Sequence, residues 1–201
     1  IGSSADRPAA LAELVGIILN DGIHYPVARI ESLLFASQTP YETRLARKSG
    51  YGRRVLSPEI AQAARLALID TVEQGTAGHV RRAFVLSDGT PLAVGGKTGT
   101  GDNRFETVDA YGQIKESRVI NRAAVFVFFI GDRFFGTITA YVPGPEAASY
   151  DFTSALPVRI LKLLAPGLMP LLEERKSAQY AEVPSAASRL FFPLTPKVAM
   201  P

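Results

Sequence analysis

The chain has 201 residues, of which 47% are hydrophobic and 20% charged, with a formal net charge of +3. A chain of that length and balance can bury a substantial core, which sets it apart from disordered or fibrous sequences. The lack of cysteine excludes disulfides and thiol chemistry, the scattered charge gives no nucleic-acid stripe, and no uninterrupted apolar run of about 18 residues offers a bilayer span.

The first periodic segment is Pro8 to Leu19, where Leu11, Leu14, Val15 and Ile18 form the apolar stripe of an amphipathic helix. Asn20-Asp21-Gly22 supplies its stop, since glycine tolerates positive φ. Residues 27–35 are expected to hold a short strand, and 36–54 a polar loop in which Arg44, Arg47, Lys48, Arg53 and Arg54 form a solvated face. Ser57-Pro58-Glu59 then reads as N-cap, first helical residue and dipole-matched acid. The helix they open is predicted over 59–72, with Ile60, Ala64, Ala67, Leu68 and Thr71 or Val72 inward, closed by Gly75. Three strands follow, at about 92–99, 122–130 and 133–142. Gly131-Asp132 reads as a two-residue hairpin turn between the last two, and Pro143-Gly144-Pro145 ends the third. The Phe126, Phe128, Phe134 and Phe135 set fits core packing at strand period, with one ring exposed. A last helix is predicted over 154–164 with Leu156, Ile160, Leu161 and Leu164 on one side. The proline-rich stretch 166–201 is expected to be an unordered or surface-wrapping tail.

The chemistry-bearing motif is Gly95-Gly96-Lys97-Thr98-Gly99-Thr100, at the end of the apolar run Pro91-Leu92-Ala93-Val94. Lys97 supplies a compact cation that an anionic ligand would feel. On a strand, Thr98 and Thr100 present their hydroxyls to one face, and Gly99 between them admits a ligand or a second backbone closely.

A phosphate-binding loop is the first competitor. Gly96-Lys97-Thr98 matches the end of the G-x-x-x-x-G-K-[ST] pattern, but the first glycine position is Pro91, which has no N–H to donate. The residues after Thr98 also break helices, whereas that loop must run into one. Val125 to Asp132 resembles the acid-ended strand of nucleotide-binding proteins, yet is more simply one arm of a hairpin. A metal site is disfavoured because His24 and His79 stand apart, with no carboxylate or cysteine grouping. Asp102 and Asp109 could steer an amine, although loop solvation explains them more simply. No cofactor is implied.

K-T-G is shared by class A β-lactamases and penicillin-binding proteins, alongside S-x-x-K and an S-x-N-type motif. No serine here has a lysine three positions later or an asparagine two positions later. The chain begins on Ile1-Gly2-Ser3-Ser4 without methionine, and is expected to have been cut from something longer.

Ile1 to Ser4 with Leu11-Ala12-Glu13-Leu14 and Leu19-Asn20-Asp21-Gly22, then Val55-Leu56-Ser57-Pro58-Glu59, Val72 to Ala77 and finally Gly95 to Thr100 together resemble the transpeptidase domain of class A penicillin-binding proteins. Those proteins join a glycosyltransferase to a transpeptidase. The resemblance spans 1–165, and KTGT is its one individually specific motif. It implies an α+β chain with an incomplete serine β-lactamase/transpeptidase-like fold, an antiparallel sheet flanked by helices. Residues 1–165 would be the C-terminal portion of the penicillin-binding domain.

The resemblance also implies roles. A serine outside this chain would attack a D-alanyl-D-alanine stem peptide or a β-lactam. Lys97 would act electrostatically, Lys97, Thr98, Gly99 and Thr100 would bind the substrate, and the Thr100 backbone N–H would complete an oxyanion hole. The expected partners are the stem peptide or β-lactam and the upstream part of the same domain, with no nucleic acid. The location would be the periplasmic or extracytoplasmic face of the inner membrane, reached through an anchor upstream of Ile1. The sequence departs from many relatives at Asn121 to Phe126, where an aromatic lead-in is usual, and in a long 101–118 loop. The alternative is a non-catalytic module of the same fold that keeps the cleft for recognition of peptidoglycan or a partner.

Overall fold

The computed structural model describes residues 7–28, 30, 32–46 and 50–181, with side chains described as far as residue 173. The Ile1 to Ser4 part of the resemblance, Arg47, Lys48 and residues 182–201 lie outside the described residues. Helix α1 (Pro8–Leu19) is followed by β1 (Ile23–His24), β2 (Ser32–Phe35), β3 (Thr43–Ala46), β4 (Arg53–Arg54) and helix α2 (Pro58–Glu73). Then come β5 (Val94–Val108), β6 (Ile114–Ile130), β7 (Phe134–Pro143) and helix α3 (Ala155–Ala181). The main sheet is antiparallel in the order β5-β6-β7, so the KTGT strand lies at its edge. β1 pairs with β4 and β2 with β3 in two small ladders.

The central strand explains the layering. Ala123 to Ile130 is almost wholly apolar because β6 is buried on both faces. Phe126, Phe128 and Ile130 point into a core with Val72, Val80, Phe84, Val158, Leu161 and Leu172. Val127 and Phe129, one residue out of phase, meet Val15, Leu19, Leu68 and Ile69 of α1 and α2. The sheet is therefore sandwiched between α3 on one side and the α1–α2 pair on the other.

Both early helices occupy their expected stretches, but their inward faces are rotated. Leu14 is half exposed and Gly16 is buried, because the Phe135 ring sits where a Cβ on Gly16 would be, 2.7 Å from its Cζ. On α2 the buried residues are Ala61 and Val72, while Ile60 and Ala67 are exposed. Ser57 caps α2, accepting from Ile60 N–H at 3.4 Å, and its hydroxyl is the main reason the Glu59 carboxyl is held below its usual range. Gly22 at φ 83° ends α1, and a Cβ there would lie 2.3 Å from the Leu56 carbonyl.

Four expectations are corrected. The 36–54 segment contains β3 and β4 instead of being all loop. The 101–118 stretch is no loop either. β5 and β6 continue past the end of β7 as a two-stranded arm, with register shifts between Asn103 and Arg104 and between Thr107 and Val108. Asp109 closes its tip by accepting from Tyr111 N–H and Gln113 N–H, at 2.8 Å and 3.0 Å.

The turn at Gly131 carries three residues, because Ile130 pairs with Phe134. Its Gly131 N–H is drawn sideways to the Ala93 carbonyl at 2.7 Å, and Arg65 of α2 pairs with Asp132. Finally, α3 runs through Pro166 and Pro170 to Ala181, into the stretch expected to be tail. Leu161, Ala165, Leu168, Met169 and Leu172 continue one apolar stripe onto the core, so packing outweighs the lost N–H donors. Leu156 and Leu164 lie off that stripe and are exposed. By length and composition Ala155–Glu173 could also cross a membrane, with mean hydropathy 1.5. Its buried stripe makes it the core helix beneath the sheet.

Candidate functional site

Lys97 lies inside β5, paired in register with Val127, and the chain continues as strand to Val108 instead of running into a helix, which removes the phosphate-loop reading. The two glycines before it have a packing role. A Cβ on Gly95 would lie 2.4 Å from the Phe129 ring, and one on Gly96 2.5 Å from both the Phe126 ring and the Val127 carbonyl. The two rings therefore occupy the space that side chains at these positions would need, and pack the motif against β6.

Beyond those glycines the strand emerges. Lys97 is exposed, and a Cβ on Gly99 or Gly101 would meet nothing within 4 Å. The Lys97 Nζ donates to the Thr98 carbonyl at 2.7 Å, and among the described residues no carboxylate lies within ion-pair distance of it. The cation is thus tethered at the sheet edge with its charge uncompensated by those residues.

Thr98 and Thr100 do share a face, but their hydroxyls are not simply open. Thr98 is only 8% exposed, and its Oγ1 shares a hydrogen bond with Thr76 Oγ1 at 2.6 Å. Thr100 Oγ1 accepts from the Ser154 backbone N–H at 2.7 Å. A hydroxyl that accepts one bond still has its own proton to donate, so Thr100 keeps a donor for a ligand. As part of an edge strand, β5 also turns alternate backbone N–H and C=O groups outward, where a ligand can add to the ladder.

Several neighbours were beyond sequence reasoning. Thr76, Ser154, Arg122, Asp151 and Phe152 reach the motif only through tertiary closure, and no local pattern marks them. Arg122 lies opposite Asp102, at 3.4 Å, so that acid has a structural partner; Asp109 caps its own turn. The two histidines stay apart, although His24 Nε2 finds Glu13 Oε1 at 2.5 Å. Among the described residues no three His, Cys, Asp or Glu side chains come together as a metal site would need.

No family model and no curated protein matches the sequence. Solved structures do. Penicillin-binding protein A from M. tuberculosis, as its ceftriaxone acyl-enzyme complex, superposes with a TM-score of 0.53 at 18% identity over 82% of this chain. Another structure of that protein gives 0.50 at 20% identity, again over 82% of this chain. A peptidoglycan synthetase from Bifidobacterium adolescentis gives 0.49 at 21% identity, covering 90% of this chain and 27% of its own. The chain spans only 33% of the length of the two M. tuberculosis structures. With the superposition on penicillin-binding protein A at a TM-score of 0.53, the three-stranded antiparallel sheet with helices on both faces is an incomplete penicillin-binding transpeptidase-like fold.

Proposed function

We propose that this chain is the portion of a peptidoglycan D,D-transpeptidase domain that holds the substrate carboxylate and half of the oxyanion hole. The observation that carries this reading is the Lys97-Thr98-Gly99-Thr100 edge strand. Among the described residues it combines a cation with no counter-charge, an open glycine and a threonine hydroxyl with its proton unspent, in a fold also found in a protein caught as a β-lactam acyl-enzyme.

A serine in the rest of the domain attacks the carbonyl of a D-alanyl-D-alanine stem peptide. Negative charge then develops on that oxygen, and the Thr100 N–H donates to it. Collapse releases D-alanine and leaves an acyl-serine, which the amine of a second stem peptide resolves into the cross-link. A β-lactam enters the same route and stalls as the acyl-enzyme. Until D-alanine leaves, Lys97 and the Thr100 hydroxyl hold its carboxylate, with the Thr98 hydroxyl, bonded to Thr76, beneath them. The motif resemblance supports a class A parent that joins a glycosyltransferase to this domain, at the periplasmic or extracytoplasmic face of the inner membrane.

The test measures second-order acylation of the intact protein by penicillin. Lys97→Ala should cost about 2–5 kcal/mol in the activation barrier, the range for truncating one member of a desolvated charged pair. Thr100→Val loses one hydroxyl and should cost about 1 kcal/mol. Thr100→Pro deletes the N–H and should cost about 3–4 kcal/mol, as removal of an oxyanion-hole donor does in a serine protease. Wild-type rates for Lys97→Ala, or equal effects of valine and proline at position 100, would remove these assignments. No acylation of the intact protein at all would favour the recognition module.

A further inference from the structure

Segment 150–154, which leads into α3, crosses the end of β5 beside Thr100. What fixes it there is Arg122, which stands on β6 in register with Asp102, two residues past Thr100 on the same face. The Arg122 side chain is 17% exposed. Its Nε and Nη2 both donate to the Phe152 carbonyl, at 2.9 Å and 2.8 Å, and the Phe152 ring centroid lies 5.4 Å from its Cζ. Asp102 at 3.4 Å and Asp151 at 3.6 Å compensate its charge. Two residues beyond Phe152, the Ser154 N–H donates to Thr100 Oγ1.

We propose that Arg122 is a positioning residue for Thr100. By clamping the Phe152 carbonyl it keeps the Ser154 N–H on one lone pair of the Thr100 hydroxyl. The hydroxyl proton cannot point at a donor, so it is directed away from Ser154, toward the cleft. Because two carboxylates already compensate Arg122 and two of its donors are committed to one carbonyl, it does not itself offer the substrate a free cation. The inference rests on the carboxylate-holding reading of Thr100 given above.

The experiment compares acylation of the intact protein by penicillin and by its methyl ester, which lacks the carboxylate charge. Arg122→Ala should slow the acid by about three- to fivefold, no more than Thr100→Val does, and leave the ester unchanged. Arg122→Lys, with one donor for Phe152, should recover part of the loss. In a Thr100→Val background, Arg122→Ala should add less than about twofold, because the two changes act on one interaction. Ser154→Pro removes the N–H at the mouth of α3, where proline is tolerated. It should reproduce the Arg122→Ala pattern and carries the test if Arg122→Ala does not fold. A readout that does not depend on acylation is hydrogen exchange at the Ser154 amide, which should accelerate about tenfold in Arg122→Ala while β6 amides stay protected.

Equal losses for acid and ester, full additivity on Thr100→Val, or unchanged exchange at Ser154 would overturn the positioning role. If Thr100→Val itself leaves the acid-to-ester ratio unchanged, the carboxylate-holding reading falls and this inference falls with it. If Thr100→Val collapses the ratio and Arg122→Ala does not, only the inference falls.

Discussion

Gly96 and Gly99 are three residues apart on one strand and are glycine for different reasons. At Gly96 a side chain would collide with the Phe126 ring and with the Val127 carbonyl, and backbone cannot move aside without opening the β5–β6 ladder. At Gly99 a Cβ would meet nothing, so folding does not demand glycine there. Gly96→Ala should therefore destabilise the chain by about 1–3 kcal/mol, the usual cost of overpacking. Gly99→Ala should change stability by less than about 0.5 kcal/mol, as substitutions away from packed features do. In the intact protein, however, it puts a methyl beside Lys97 and should slow penicillin acylation. Urea titration of both variants decides the first pair of claims. Equal destabilisation at the two positions would mean that the open side of the motif is closed by something in the fold.

At the scale of elements, the arm formed by the outer halves of β5 and β6 makes a contrast with the strands beneath it. From Asn121 to Ile130 β6 is held by β7 and by helices on both faces; outward of the Gly144 N–H on the Ile120 carbonyl, the two strands pair only with each other among the described residues. Their pairing is reinforced by Arg104 donating to Ser117 Oγ, Ser117 donating to Glu106, and Arg118 over the Phe105 ring. Such exposed polar pairs contribute little, and an isolated two-stranded ribbon is marginal in water. Replacing residues 105–118 with a tight two-residue turn should leave the melting temperature within a few degrees of the parent, on a scale of about 2–4 °C per kcal/mol for a chain of this length. Loss of cooperative unfolding on trimming would show that the arm is part of the core unit.

The same arm shows why some elements could be read from the sequence and others could not. β6 was legible from Ala123 to Ile130 because burial on both faces writes a continuous apolar run. The arm alternates between residues that are exposed on either face, so no period survives in the sequence and it reads as loop. α1 and α2 announce themselves by caps, yet which residues face inward depended on where Phe135 and the sheet would sit. The continuation of α3 was hidden by Pro166, whose local meaning is a stop and whose cost is met by Leu168, Met169 and Leu172 on the core. At the site, KTGT was legible as a motif, whereas Ser154 and Arg122 reach Thr100 only when segment 150–154 closes over β5.

The whole molecule poses the question of completeness, because it presents a site from one side only. β5 is an edge strand, Lys97 and Gly99 look outward, and no serine of the chain stands in an S-x-x-K context. The β2–β3 ladder also exposes Leu33, Phe35 and Leu45 on one face, an apolar surface of the kind that marks an interaction site. The serine nearest the motif through a hydrogen bond is Ser154, and it touches Thr100 through its backbone, with no base recorded on its hydroxyl among the described residues. A serine hydroxyl without an adjacent base or an electropositive setting is a weak nucleophile. The isolated 201-residue chain should therefore fold, since both faces of β6 are covered by its own helices, and still form no stable adduct with fluorescent penicillin. The intact protein should label stoichiometrically under the same conditions, and intact-mass measurement should show the acyl group on a residue outside this chain. A stoichiometric adduct on the isolated chain would place the nucleophile within it. Ser154→Ala would then be the first variant to examine, and the division of the site between this chain and the rest of its domain would have to be redrawn.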